Sequence, residues 1–296
     1  MMTMRCFAIG SFQVKGLIQI ICDEKKKQTM QSSGSHKNLS YTFSLMTSKM
    51  QDTKKRHRST SIQETSMLGQ PMWKREVSLL DDEIVQCHRC ARLIAWCESI
   101  SREKVKRFSS EEYWGKPVPS FGDIQSELLL VGLAPAAHGA NRTGRLFTGD
   151  RSGEWLFDAL YKHGFCSEAR SVHRDDGVRL INCRITAVAH CAPPQNKLLK
   201  EEIDSCSDFL ARELLLMQRL KVVIAFGKVA FDSLTKRHFP QLRKSVFRHG
   251  AESRTEDGKC IIASYHPSQQ NTFTGKLTRN MFYQIFQQSL NLLKSK

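Results

Sequence analysis

The stretch that decides the fold is Glu127-Leu-Leu-Leu-Val-Gly132, a short apolar run that ends at a glycine. A run of this length without polar alternation is typical of a parallel strand that is buried on both faces. Similar runs follow at 178–189, 222–226 and 260–265. Helical patterns are predicted at 81–97, 152–163, 200–220, 228–236 and 277–293. Strands that alternate with helices predict an α/β fold, with helices on both faces of a parallel sheet.

Composition narrows the class of protein. The chain has 296 residues, 40% of them hydrophobic and 25% charged, which is ordinary for a globular protein. No run of about 18 apolar residues is present, so the sequence predicts no membrane span. The net charge is +16. The first 70 residues contain 11 Lys and Arg and 4 Asp and Glu, a charge of +7, so the remaining 226 residues carry +9. A basic domain favours polyanionic partners such as nucleic acid.

The beginning of the chain has a different character. Residues 1–75 lack steady periodicity and are rich in Ser, Thr, Gln, Lys and Met, so we expect a disordered extension before one domain at 76–296. The acid-free start, 1–21, fits an organelle-targeting peptide, while the basic run at 54–58 fits a nuclear address. The sequence does not decide between these two targeting signals and a solvated tail without a targeting role.

Two polar loops follow predicted strands, at the edge of the sheet where α/β proteins bind ligands. The loop at 132–150 is long and rich in glycine, and it carries Phe147 and Asp150. Long loops inside a domain are usually functional, although Asp150 also fits a helix cap and Phe147 a core residue. The loop at 266–279 begins with His266, and the facing loop favours a functional histidine over a structural one.

Four cysteines have the spacing of metal ligands. Cys87 and Cys90 form a Cys-x-x-Cys pair on a predicted helix, and Cys191 and Cys206 flank a later loop. The ten cysteines of the chain fit no extracellular disulfide framework, so we expect a reducing compartment. Four thiolates suit an iron–sulfur cluster or a tetrahedral zinc ion, and the spacing does not choose between them.

The chain resembles the type-b (family 5) uracil-DNA glycosylases, which belong to the iron-sulfur-containing uracil-DNA glycosylase superfamily. The resemblance covers about 81–293 and keeps the order of the motifs. Its motifs are Gly132-Leu-Ala-Pro-Ala, Asn141-Arg-Thr-Gly-Arg, Phe147-Thr-Gly-Asp150, Cys191-Ala-Pro-Pro-Gln-Asn-Lys197, His266-Pro-Ser-Gln-Gln-Asn-Thr272 and Thr274-Gly-Lys-Leu-Thr278. The combination is too specific to follow from a shared α/β layout.

The resemblance implies a fold, a reaction and a cofactor. The fold is a three-layer αβα domain around a central four-stranded parallel sheet. The reaction is hydrolysis of the N-glycosidic bond of uracil in DNA by a monomer, which begins base-excision repair. The cofactor is a structural 4Fe-4S cluster held by Cys87, Cys90, Cys191 and Cys206.

The resemblance also assigns roles to the site residues. His266 matches the histidine that hydrogen-bonds the base carbonyl as it becomes anionic, and Asp150 matches the carboxylate that positions water and favours the sugar cation. Four residues are expected to bind the base: Gly132, Ala134, Phe147 and Asn196. Four others are expected to bind DNA: Arg142, Lys276, Leu277 and Arg279. The three cationic residues would bind phosphates, and Leu277 would enter the gap that the target base leaves when it turns out of the duplex.

Departures from related subfamilies predict a wider substrate range. Ala134 and Ala136 stand where other subfamilies carry a polar, water-activating residue, and Ala187 stands where an asparagine reads the edge of uracil. Losing a polar discriminator relaxes selectivity, so we expect excision of other deaminated or etheno-modified bases. Leu198 replaces an expected proline and affects only the loop shape. The alternative function is a non-catalytic iron–sulfur or zinc module that binds nucleic acid; such a module needs neither Asp150 nor His266.

Overall fold

A computed structural model of the protein describes residues 71–295 and contains a six-stranded sheet. The strands are β1 (Phe121–Gly122), β2 (Leu128–Gly132), β3 (Cys183–Ala187), β4 (Val222–Phe226), β5 (Glu252–Arg254) and β6 (Cys260–Ser264). Their order is β1-β3-β2-β4-β6-β5. The central four strands are parallel, as predicted, and the short edge strands β1 and β5 add antiparallel pairs that the sequence did not predict.

The helices lie in layers on the two faces of this sheet. They are α1 (Met72–Val85), α2 (Ala91–Glu103), α3 (Ala140–Thr143), α4 (Arg151–Lys162), α5 (Lys200–Leu216), α6 (Lys228–Ser233), α7 (Gln269–Phe273) and α8 (Arg279–Lys294). Helices α4 and α8 pack in one core cluster, and α5 and α6 pack in the other. The predicted three-layer αβα fold is therefore confirmed.

The two clusters follow from the alternation of side chains along each strand. In β2, Leu128 and Leu130 face the α4 and α8 side, while Leu129 and Val131 face the α5 side. Every residue of the four central strands is buried, which explains why β2 and β4 are continuously apolar. Polar side chains are buried as well in the other two strands, at Arg184 and Thr186 of β3 and at Ser264 of β6. Burial on both faces fixes the register, because a slip by one residue would exchange the two faces.

The single helix predicted at 81–97 is wrong. Helix α1 ends at Val85 and α2 begins at Ala91, so Cys87 and Cys90 lie in the link between two helices. The apolar period continues across the break, but the two halves pack on different partners. Leu80 and Ile84 of α1 pack with Phe209 of α5, whereas Leu93 of α2 packs in a separate cluster that contains Cys191.

Other boundaries differ by a few residues. Strand β3 occupies only the centre of the run at 178–189, and α5 ends before 220. Helix α6 passes into a π-helical turn at Leu234–His238. Helix α1 begins at Met72, upstream of the predicted boundary at 75/76. The predicted extension up to residue 70, with both targeting hypotheses, lies outside the described residues, and no helix within 71–295 is long and apolar enough to cross a bilayer.

Candidate active site

Loops that leave β2, β3 and β6 meet at the carboxyl edge of the sheet and enclose a cavity of about 680 Å³. The position is the one expected for a ligand site in a parallel sheet, because carboxyl ends of neighbouring strands share one edge. Five of the predicted site residues line it: Ala134, Phe147, Asp150, Asn196 and His266. The structure thus brings together motifs that are more than 100 residues apart in sequence.

Asp150 lies in the wall of this cavity and has two roles there. Its Oδ1 accepts a hydrogen bond from the backbone N–H of Gly153 at 2.8 Å and caps α4. Its Oδ2 lies against the backbone of Gly139, where a Cβ atom would be only 2.3 Å away. Burial raises the pKa of the Asp150 carboxyl. The cap and the functional interpretation are therefore compatible: the cap fixes the carboxylate that the cavity presents.

Phe147 and His266 form the aromatic wall. Their rings stack with centroids 5.8 Å apart and 26° between planes, and Phe147 meets Phe226 edge-on at 5.7 Å. A Cβ atom on Gly132 would lie 2.8 Å from the Phe147 ring, so this glycine admits the ring rather than lining the cavity itself. Burial lowers the pKa of His266 to about 4, so its imidazole is neutral at pH 7.

The backbone is strained at the same cavity. Five non-glycine residues of the described chain have positive φ, and three of them line the cavity: Phe147 (53°), Gln195 (55°) and Asn196 (56°). Such backbone persists only where the surroundings enforce it, and it concentrates at functional sites. Here the 3₁₀ turn Pro194–Asn196, which follows Pro193, presents Asn196 to the cavity.

The rest of the lining is apolar or was missed by sequence reasoning. Ala134, Ala136 and Ala187 supply inert walls, as expected from the sequence departures. The polar residues that were missed are Arg151, Ser152, Gln195, Lys197, Ser268, Gln269 and Gln270. Two signals in the sequence could have found some of them. Arg151 is the first residue of the helix that Asp150 caps, and Gln269 and Gln270 belong to the motif that starts at His266.

Arg142 is not placed to grip DNA, and this prediction is corrected. Its side chain is 6% exposed and pairs with Glu111. It also donates to the carbonyl oxygens of His138 at 2.8 Å and Gly149 at 2.9 Å, and it lies 3.9 Å from the centre of the Phe108 ring. A guanidinium that is buried with these partners holds the long loop in shape, and three of its five N–H donors are already used inside the protein.

Leu277 is also misassigned by the sequence. Its side chain is 1% exposed and belongs to the core cluster under α4 and α8, so it cannot enter a base stack. Lys276 is exposed, with its amine 4.9 Å from the centre of the Tyr265 ring. Arg279 is exposed but paired with Asp158 at 2.7 Å. Of the predicted DNA contacts, Lys276 is placed freely at the surface, and Arg279 must leave its partner first.

The cavity continues past Asp150 as a groove. Two smaller cavities, of about 450 and 320 Å³, adjoin it and share Asp150 in their linings. Arg107, Phe108, His138 and Arg170 line these cavities. The Asp150 carboxylate therefore lies where an open, partly basic groove meets a deeper pocket.

The four predicted metal-ligating cysteines surround one small cavity on the other side of the loop that follows β3. Cys87, Cys90, Cys191 and Cys206 all line it, together with His190 and Phe209. A fifth cysteine, Cys97, is buried in the cluster that contains Cys191. Across residues 71–295, no group of three or more His, Cys, Asp or Glu side chains has the arrangement of a metal-ion site.

The arrangement in the large cavity suits a defined chemistry. A flat ring can stack on Phe147, while a neutral imidazole donates a hydrogen bond to an oxygen that gains negative charge. A carboxylate nearby can orient water or stabilise a developing cation. These groups fit cleavage of a bond whose two halves separate with opposite charges.

Comparisons with known proteins agree with this chemistry. The profile of the Uracil DNA glycosylase superfamily matches residues 119–290. The chain is 44% identical over 211 residues to the type-5 uracil-DNA glycosylase of Thermus thermophilus, covering 71% of this chain and 94% of that protein. It is 41% identical over 215 residues to that of Mycobacterium leprae, covering 72% and 94%. The type-4 uracil-DNA glycosylase of Archaeoglobus fulgidus is 28% identical over 155 residues, covering 51% and 70%.

Proposed function

Because the chain belongs to the uracil-DNA glycosylase superfamily, we propose that it hydrolyses the N-glycosidic bond of uracil in DNA, the step that begins base-excision repair. The observation that carries the proposal is the meeting of Asp150, Phe147 and His266 in one cavity. All three come from the same chain, which supports action as a monomer. The net charge of +16 supports a polyanionic substrate.

A base in a duplex must leave the stack to reach this cavity. In the proposed complex, uracil stacks on Phe147, and the turn that carries Asn196 closes over its edge. Ala187 stands in the lining where related subfamilies carry the asparagine that reads this edge, so that discriminating side chain is missing here. We therefore propose that other deaminated and etheno-modified bases are also excised.

His266 acts on the departing base. As the bond between C1′ and N1 breaks, its electron pair moves to the uracil ring, and negative charge reaches the O2 oxygen. A neutral imidazole keeps one N–H to donate to that oxygen, and burial keeps His266 neutral. The low pKa of His266 supports hydrogen-bond donation and excludes proton transfer from an imidazolium at pH 7 as its role.

Asp150 acts on the sugar side. Its carboxylate stabilises positive charge at C1′ and orients the water whose oxygen forms the new bond to C1′, and it accepts the proton that this water releases. The raised pKa of Asp150 brings the carboxyl closer to the operating pH, as expected of a general base. Gly139 and Gly153 hold it in place.

We also propose that Cys87, Cys90, Cys191 and Cys206 hold a structural 4Fe-4S cluster. The fit rests on four thiols from the α1–α2 link, the loop after β3 and helix α5, which line one cavity. The cluster would join these three segments beside the loop that carries Asn196. When bound it supplies rigidity, and no step of the reaction passes through it.

The alternative, a non-catalytic nucleic-acid-binding module, is not favoured, because the relatives are named as glycosylases and a binder needs neither Asp150 nor His266. The test is a single-turnover assay on a labelled oligonucleotide with one uracil, followed by alkali to cleave abasic sites. Asp150→Ala and His266→Ala should each slow excision by about 10² to 10⁴. Asp175→Asn, at an exposed carboxylate in an ion pair, is the control. Wild-type rates in both variants would refute the assignments.

A further inference from the structure

The groove beside Asp150 leads away from the cavity that is proposed to hold the base. Its far part has a volume of about 320 Å³, and Asp150 is the residue that this part shares with the large cavity. A part of about 450 Å³ borders both. The proposed reaction takes place in the large cavity, so it gives this groove no role.

One wall of the groove is formed by the segment that carries Arg107 and Phe108. These two residues belong to a 3₁₀ turn at Lys106–Phe108. The buried side chain of Arg142 holds the segment in two ways. Its guanidinium lies 3.9 Å from the centre of the Phe108 ring, and it pairs with the carboxylate of Glu111. The wall is therefore fixed to the glycine-rich loop that ends at the catalytic carboxylate.

Another wall is the segment 170–173, in the connection between α4 and β3. Arg145, whose side chain is buried, donates to Oγ of Ser171 at 2.6 Å and pairs with Asp176. Asp176 in turn accepts a hydrogen bond from the backbone N–H of Val172 at 2.8 Å. The backbone of this wall is therefore held from below, while the side chain of Val172 stays 61% exposed at the groove.

The two arginines that hold the walls belong to one motif, Asn141-Arg-Thr-Gly-Arg145. Arg142 fixes one wall and Arg145 fixes the other, and both stand on the loop that ends at Asp150. Burying a guanidinium lowers stability unless protein groups pair with it. Two buried guanidiniums in one short motif therefore indicate that the shape of the groove, relative to Asp150, matters to the function.

Arg107 and Arg170 place unpaired positive charges on these two walls. Twelve of the nineteen arginines in the described part of the chain form an ion pair there, and these two exposed residues are not among them. Of the carboxylates that line the groove, Glu111 is already paired, and Asp150 and Glu154 lie at the start of α4. Unpaired guanidinium groups on both walls favour a ligand with phosphates.

We propose that this groove binds the target strand, as a single strand, on one side of the flipped nucleotide, and that Arg107 and Arg170 bind its phosphates. The proposal rests on the proposed function, because it takes Asp150 as the position of the reacting sugar. A phosphate ion would need the cations alone, whereas a strand also offers sugars and base faces to the side chains of Phe108 and Val172. Because the walls are already fixed, binding loses little free energy in ordering them.

The first test is a binding measurement, which does not depend on catalysis. Fluorescence anisotropy gives the affinity of the full chain for a labelled single-stranded oligonucleotide with a central tetrahydrofuran abasic analogue, over a range of salt concentrations. Arg107→Gln and Arg170→Gln should each lower the slope of log K against log salt by about 0.7. Arg179→Gln, at an exposed arginine shortly before β3 and so near the opposite edge of the sheet, is the control and should leave the slope unchanged. An unchanged slope in either groove variant, or an equal fall in the control, would overturn the proposal.

The second test locates the strand. Two shorter probes carry the same analogue at the 5′ end or at the 3′ end, so each keeps the strand on one side of it. The double variant Arg107→Gln with Arg170→Gln should bind the central probe and one of the end probes more weakly than wild type does, and the other end probe equally well. Weaker binding to both end probes would show a general effect of charge and would overturn the groove.

Release of uracil by the wild type decides the proposed function separately. If the wild type binds the probes as expected but releases no uracil, the proposed function fails and the groove remains a binding site for single strands. If it releases uracil while the groove variants bind like wild type, the groove fails and the proposed function stands.

Discussion

Gly139 sets the position of the Asp150 carboxylate, and Gly139→Ala is the sharpest perturbation that the structure offers. A Cβ atom at this position would lie 2.3 Å from Oδ2, 2.9 Å from Cγ and 3.0 Å from Cβ of Asp150. Ordinary contact begins near 3.4 Å, so the carboxylate must move by about 1.1 Å. The movement also strains the hydrogen bond from Gly153 that caps α4.

The expected loss follows from this displacement. A misplacement of about 1 Å at a reacting group costs about 10² in rate, which corresponds to about 2.7 kcal/mol of activation free energy. A weakened helix cap costs about 1 kcal/mol of stability, so the melting temperature should fall by only a few degrees. Excision should therefore fall far more than stability.

The assay is single-turnover excision of uracil from a labelled duplex, with thermal unfolding measured on the same preparations. The double variant Gly139→Ala with Asp150→Ala separates the two explanations of a slow enzyme. If Gly139 acts through the carboxylate, the double variant should be no slower than Asp150→Ala alone, because residues that act as a unit are not additive.

Two results would refute this reasoning. One is a Gly139→Ala rate within about threefold of wild type, which would mean that the carboxylate tolerates a displacement of about 1 Å. The other is a double variant that is clearly slower than Asp150→Ala, which would mean that the glycine supports the site by another route.

Three further predictions address the charges and the cysteines. Activity requires ionised Asp150, whose pKa is raised by burial, so kcat/KM should fall as pH decreases through that raised value, and Asp150→Asn should flatten this acid limb; an unchanged limb would assign it to another group. His266 has a pKa of about 4 when folded and 6.5 as an ordinary value, so the unfolded chain binds the proton first and stability should decrease as pH falls from 6.5 to 4. In urea titrations His266→Gln should lose less stability than wild type over that interval, and equal losses would contradict the buried neutral imidazole. Cys191→Ala should lose bound iron and yield less soluble protein. Cys260→Ala, which alters a buried strand residue, is the control and should keep its iron. A Cys191→Ala protein that is active without iron would show that the predicted ligands are wrong.

The parts of the fold that sequence could predict are those where burial leaves a one-dimensional pattern. Strands β2 and β4 are apolar throughout because both faces are covered, and β4 matches its predicted bounds at both ends. The carboxyl-edge rule then placed the loops of Asp150 and His266 together. The edge strands β1 and β5 have two and three residues, too few to leave a pattern.

Side-chain direction and choice of partner could not be predicted. The loop at 266–279 contains Phe273 and Leu277, both apolar, and only tertiary packing decides that Leu277 is buried and Phe273 exposed. Arg142 belongs to a glycine-rich loop whose sequence does not distinguish a DNA-binding arginine from a structural one. Only the folded protein shows that Glu111 and Phe108, from another segment, contact its guanidinium. The break at Cys87 and Cys90 is hidden because the apolar period continues while the packing partners change.

The most direct test of the proposed chemistry is measurement of free uracil by mass spectrometry after incubation with uracil-containing DNA. Wild-type protein should release uracil in equal amount to the alkali-sensitive sites that form, and Asp150→Ala should reduce both by about 10² to 10⁴ in rate while it still binds the duplex. No free base from iron-loaded wild-type protein that binds DNA, or full release by Asp150→Ala, would contradict the assignment of this cavity as a glycosylase active site.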